Sequence, residues 1–162
     1  MLQTEIMTEL AQVSRTAMVF YEEAQAAAND PALRALYSRM AEHKRRITLA
    51  LVARLPGGTH ALPFQGTLVS AVRPVYADML AKLGKMQSGQ HTQLLAGLEA
   101  RLLEHYDHAT ARLEQYESRH WLRSFLPASE TLLAEMRTLG AEQSGLGDRS
   151  AGRSKFGVDQ VA

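Results

Sequence analysis

Apolar residues recur at steps of three and four positions along most of the chain. In the first stretch with this pattern they are Leu2, Ile6, Leu10, Val13, Ala17, Phe20, Ala24 and Ala27. Such spacing puts the apolar side chains on one side of an α-helix, where they can pack against a partner. The pattern predicts a first helix over 2–27 and a second helix from Pro31 to Leu55.

The junction between these two helices is the segment Asn29-Asp30-Pro31. The Asp30 carboxylate can accept hydrogen bonds from the unpaired amides of the helix that follows. Pro31 has no amide to lose, and its φ already suits a first helical turn. Since so short a connection leaves the two helices side by side, we expect them to pack antiparallel, as in helical bundles.

Prolines and glycines set the next boundaries. The segment 56–66 contains Pro56, Gly57, Gly58, Pro63 and Gly66, which predicts a long connection. A third, shorter helix is predicted to begin at Thr67 and to end near Gly84, with Pro74 either kinking or splitting it. The length of the loop suggests that this helix crosses from one end of the fold to the other.

The second half of the chain predicts two more helices. A fourth is predicted from about His91 to Ser118, followed by the apolar joint WLRSFLP and a last helix from Ala128 to Leu139 that Gly140 caps. Five glycines from Gly140 onward, among serines and few apolar residues, predict a flexible, disordered tail over 141–162. The alternative is that Lys155-Phe156-Gly157-Val158 in this tail is a short motif that binds a partner.

Composition limits the classes of partner. The length of 162 residues suits one domain, here 1–140. The charges nearly cancel, with 18 Lys and Arg against 17 Asp and Glu, so no net field attracts nucleic acid or an anionic membrane. The chain has no cysteine, which excludes disulfides and thiolate sites. Its first residues do not resemble a signal peptide, and the longest uncharged stretch, 55–72, is interrupted by prolines and glycines. We expect a cytoplasmic protein that binds neither nucleic acid nor membrane.

Four segments together resemble a known family, namely YEEA, NDPALRALYSRMAEHKRRITLAL, GTLVSAVRPVYADMLAKL and LLAGLEARLLEHYDHA. The likeness is clearest in the acidic-proline start of the second helix and in GTL followed by the aromatic Tyr76. Over 2–140 the chain resembles the bacterial domain of unknown function 2383, a group placed in the ferritin-like superfamily. The resemblance implies an all-α fold, a ferritin-like four-helix bundle with an extra short crossover helix, and no established reaction.

Di-iron members of the ferritin-like superfamily use carboxylates from two helices and a Glu-x-x-His pair from each of the other two. No Glu-x-x-His occurs in this chain. Three residues after Glu42 stands Arg45, a cation in the place of a ligand, and the helical wheel turns Glu42 away from the apolar stripe. We therefore expect no intact di-iron site.

A metal site with fewer ligands remains conceivable. It would use four residues beside the apolar stripes: Glu23, His43, Glu99 and His105. Imidazoles and carboxylates bind zinc or iron, so these two metals are the candidates, although no cofactor is expected. Two alternatives stay open. The residues either flank the core and pair with Lys44 across the bundle, or line a pocket for a small ligand.

Other residues give weaker signals. The apolar cluster that contains Trp121, Leu122 and Phe125 either closes the end of the bundle or forms a dimer surface. Tyr21, Tyr37 and Tyr76 are interpreted as ordinary core and flank residues. Serine-histidine-acid catalysis has no support, because no serine lies in a G-x-S-x-G motif.

Since no complete constellation for catalysis remains, the leading hypothesis is a non-enzymatic helical bundle that acts through protein association, with itself as a dimer or with another protein. One alternative is a ferritin-like metal-binding or oxidoreductase protein with the reduced site. Another is a docking or cargo protein directed by its C-terminal tail.

Overall fold

The computed structural model of the chain describes the backbone of residues 2–58 and 67–158, and the side chains of 3–58 and 67–145. Over these residues the regular structure is entirely helical: α1 (Leu2–Ala27), α2 (Pro31–Val52), α3 (Thr67–Lys82), α4 (Ser88–Ala111), α5 (Tyr116–Arg123) and α6 (Leu126–Val158). The all-α prediction is therefore confirmed. No helix in this part of the chain is both long and apolar enough to cross a membrane.

The start of α2 follows the predicted chemistry. Asp30 is the N-cap, and its Oδ1 accepts a hydrogen bond from the Ala32 amide at 2.8 Å. Pro31 takes the first helical position, where no amide is needed. As expected from the short junction, α1 packs along α2.

The remaining helices complete two apolar clusters. α4 packs along α6, and α3 packs mainly against α1. The first cluster draws residues from α1, α2, α3, α4 and α6, with Tyr21, Leu36, Leu95 and Met136 among its most buried side chains. The second joins α1, α2 and α4 to α5, and Trp121, Phe125 and Leu126 lie partly buried against it. Of the two interpretations of the Trp121 segment, the structure supports closure of the core end.

Several helix boundaries differ from the prediction. α4 ends at Ala111, not near Ser118. The amides of Arg112 and Leu113 donate to carbonyl oxygens three residues earlier, which forms a turn before α5. This turn lets Leu113 and Leu122 both enter the core, at 1% and 0% exposure. α4 also begins earlier, at Ser88, and α3 runs through Pro74 as one helix. The predicted loop over 56–66 lies mostly outside the described residues, since 59–66 are not described.

The predicted helix end at Gly140 is wrong, since α6 continues through this residue. The glycine lies close to α4, because a Cβ on Gly140 would lie 3.2 Å from Gln93 Cγ, which is tighter than an ordinary contact. Beyond it, the Gln143 side-chain amide donates to Asp30 Oδ2 at 2.6 Å. The predicted tail over 141–162 thus begins too early: 141–145 belong to the packed fold, the backbone is helical to Val158, and 159–162 lie outside the described residues.

The helices α4 and α6 approach each other closely at Gly89. A Cβ built on Gly89 would lie 2.6 Å from the Ser144 amide nitrogen and 2.9 Å from the Gly140 carbonyl oxygen, distances that only a backbone shift can relieve. At Gly97, which is also in α4, a Cβ would meet nothing within 4 Å. The two glycines therefore form a matched pair for mutation.

We expect Gly89→Ala to lower the free energy of unfolding by about 1–3 kcal/mol, because the added methyl group forces two helices apart. Gly97→Ala is expected to raise it by about 0.5–1 kcal/mol, because alanine loses less backbone entropy in an exposed helix position. Urea unfolding of both variants and the parent measures these changes. Equal effects from the two substitutions would contradict the close approach of α4 and α6.

Candidate functional site

The most polar feature of the core is the carboxylate of Glu99, in the middle of α4, whose residue is only 5% exposed. Its Oε1 accepts hydrogen bonds from the hydroxyl groups of Tyr21 and Tyr76, each at 2.6 Å. Its Oε2 accepts one from Lys44 Nζ at 3.0 Å. The donors lie on α1, α3 and α2, so this one carboxylate links four helices.

Protonation states in this network follow from burial and charge. Burial alone would raise the pKa of Glu99, but the Lys44 charge and the hydrogen bonds from Tyr21, Tyr76 and Lys44 outweigh it, and the pKa lies below its ordinary value. Burial and the nearby Glu99 charge raise the pKa of both tyrosines well above the ordinary value. Glu99 is therefore an ionised acceptor, and both tyrosines keep their protons as donors.

The tyrosine rings are held by aromatic packing. Phe20 and Tyr76 have ring centroids 4.7 Å apart, and Tyr21 lies edge-on to Phe20 at 5.0 Å. Tyr37 adds a third buried tyrosine, 5.8 Å from Tyr21. Because the rings are fixed on α1, α2 and α3, the hydroxyl groups of Tyr21 and Tyr76 are aimed at Glu99 with little freedom to leave it.

A small cavity of about 40 Å³ lies beside this network. Its wall is formed by α1, α2, α4 and α6, and it lies between the two apolar clusters. The polar residues in the wall are Ser14, His43, Lys44, Glu99, His105, Tyr106 and Ser129.

His43 is bonded to the last helix. Its Nε2 lies 2.6 Å from Ser129 Oγ, and the Ser129 hydroxyl donates to the Phe125 carbonyl oxygen at 3.1 Å. The tautomer of the His43 imidazole sets which of the two groups donates in this hydrogen bond.

The charge state of His43 is set mainly by its surroundings. Burial, together with the charges of Lys44 and Arg46, lowers the pKa of His43 to about 4, and the Glu99 charge opposes this change. At neutral pH the imidazole is therefore uncharged. In this region the charges of Lys44 and Glu99 balance each other.

Three of the four predicted metal ligands, His43, Glu99 and His105, line the same cavity. Glu23 is exposed on α1 and is not part of the wall, because its neighbour Ala24 takes the inward position. Among the described residues no group of three or more His, Asp or Glu side chains is placed to hold a metal ion. The predicted four-residue set is therefore not brought together, and the pairing of Glu99 with Lys44, which the sequence left open, is formed.

Two residues of the network were missed as polar partners. Tyr21 and Tyr76 were interpreted as packing residues, and their positions beside the apolar stripes gave no sign of a shared acceptor. A buried glutamate needs donors, but the sequence does not show which helix supplies them. Tyr76 in particular reaches Glu99 only because α3 packs against α1.

We expect the Lys44–Glu99 pair to stabilise the fold as a unit. Glu99→Leu removes the acceptor of three buried donors, and Lys44→Met leaves a buried charge, so each is expected to cost about 3–5 kcal/mol. The double variant should cost less than the sum by about 1–3 kcal/mol, since it leaves no unpaired charge. Urea unfolding of the four proteins measures this coupling.

A surface pair provides the control for this experiment. Glu42 and Arg46 form an exposed ion pair on α2, with side chains 47% and 72% exposed. Glu42→Gln should change stability by no more than about 0.5 kcal/mol. Additive costs for Lys44→Met and Glu99→Leu would refute a coupled buried pair.

Comparisons of the chain with protein-family models, with curated proteins and with solved structures found no match.

Proposed function

We propose that this chain is a non-enzymatic, cytoplasmic, ferritin-like helical bundle that acts through protein association, with a second copy of itself as the partner. The observation that carries the proposal is the arrangement around Glu99. Both oxygens of this carboxylate are engaged by Tyr21, Tyr76 and Lys44, so it is neither a free ligand nor a free base. In the proposed bundle the Lys44 ammonium supplies the positive charge that the carboxylate needs.

A surface trough between α2 and α6 supports association. The trough has a volume of about 530 Å³. Its floor contains Leu36 and Leu139, and its sides are formed by small exposed residues. These are Ala32, Ala35, Thr131, Ala134 and Thr138. Small side chains at the surface of two neighbouring helices leave room for side chains of another helix.

The charges beside the trough favour a second copy as the occupant. The α2 side carries the exposed cation Arg39, and the α6 side carries Glu135 and Glu142. Within one chain, Arg39 and Glu135 already form an ion pair across the trough. A two-fold axis over the trough would bring the basic side of each copy to the acidic side of the other, which is the self-complementarity that such dimers require.

Sedimentation equilibrium tests this proposal. Ala134→Arg places a long cation in the trough and is expected to weaken the dimer at least tenfold. Ala81→Arg on α3 is the matched control, because Ala81 is also exposed and lies outside the trough, and the dimer should be unchanged. A parent protein that sediments as a monomer at every accessible concentration would rule out self-association.

The second candidate is a metal-binding or oxidoreductase protein of the ferritin-like type. It is favoured by one observation, that His43, Glu99 and His105 line a common cavity. The residues as placed do not fit a metal centre, since Glu99 is bound by three donors and His43 by Ser129. A metal would have to displace Lys44 from the carboxylate.

Elemental analysis separates the two candidates. The protein is expressed with iron and zinc supplied, and the metal content is compared with that of His43→Ala. The association proposal expects metal well below one ion per chain in both proteins. Stoichiometric iron or zinc in the parent, lost in His43→Ala, would establish the metal-binding function instead.

A further inference from the structure

Two groups in the cavity wall have hydrogen-bonding capacity that the described residues do not use. His105 Nε2 is buried and has no hydrogen-bond partner there. Lys44 Nζ has three N–H bonds, of which one is donated to Glu99 Oε2. Both residues line the same cavity between α1, α2, α4 and α6. A buried polar atom without a partner costs free energy. We therefore expect the cavity to hold a molecule that can both donate and accept hydrogen bonds.

The size of the cavity limits this guest. A water molecule needs roughly 10–15 Å³ of such space, so a cavity of about 40 Å³ has room for roughly three. Cavities that stay dry are lined by apolar groups alone. The apolar part of this wall, which includes Leu10, Met40 and Ile47, is interrupted by the lysine and the two imidazoles.

The charge of the cavity excludes an ion as the preferred guest. The Lys44 ammonium is already balanced by the Glu99 carboxylate, and the neutral His43 is hydrogen-bonded to Ser129. An added anion or cation would therefore have no unpaired opposite charge beside it. A neutral molecule of water size, with both donors and acceptors, satisfies the volume and the charge together.

We propose that this cavity is an internal hydration site, in which a small cluster of ordered water molecules joins Lys44 Nζ to His105 Nε2. One water accepts from the ammonium group, and one hydrogen-bonds the imidazole nitrogen. Because His105 Nε2 is itself buried, the cluster lies inside the fold between this nitrogen and the ion pair.

Oxygen-17 magnetic relaxation dispersion of the water signal tests the proposal, because it counts water molecules that stay in a protein for longer than surface waters do. We expect at least one such water in the parent protein. His105→Phe keeps a ring in place and removes the nitrogen, and it should lose at least one long-lived water. His108→Phe is the control, because His108 is exposed on the same helix, and its count should equal that of the parent.

A third variant guards against loss of structure. His105→Gln keeps a group that hydrogen-bonds water, so it is expected to retain the long-lived water, and circular dichroism checks that each variant is folded. A parent protein without any long-lived water would overturn the proposal, whatever the variants do. An equal count in the parent and in folded His105→Phe would overturn it as well.

Discussion

The negative charge of Glu99 is the constraint on which the rest of the structure depends. A carboxylate with so little exposure is expensive to bury unless its charge is balanced and its oxygens accept hydrogen bonds. Here the balance comes from Lys44 on α2, and the other donors are tyrosines on α1 and α3. If any one of these helices moves away, polar groups in the core lose their partners. The Glu99 carboxylate and its three donors therefore fix the positions of all four helices.

This network also explains why the core is divided. The cavity wall contains Val13, Met40 and Leu133 from the first apolar cluster, and Leu10, Ile47 and Tyr106 from the second. A polar layer therefore lies between two apolar ones. Two helices with apolar faces can pack in several axial registers at similar free energy. Hydrogen bonds to donors at fixed positions form in only one of these registers. We infer that the layer selects the axial positions of the helices more than it adds to total stability.

The sequence was sufficient for features that depend on neighbouring residues. The Asp30 cap, the proline start of α2 and the pairing of α1 with α2 all follow from local chemistry and spacing. Features that depend on distant contacts were not predictable. Gly140 carries a typical helix-end signal, but its lack of a side chain serves the contact with α4. Glu23 and Glu99 both border apolar stripes in the sequence, and only the packing of whole helices decides that one is exposed and the other is buried.

Asp30 connects local structure with distant structure through its two oxygens. Oδ1 caps the helix that begins beside it, a contact that can form as soon as α2 forms. Oδ2 accepts from Gln143, 113 positions further along the chain, a contact that requires the last helix to be in place. One carboxylate therefore joins the start of α2 to α6, so the first helical pair and the last helix are held together at a single residue.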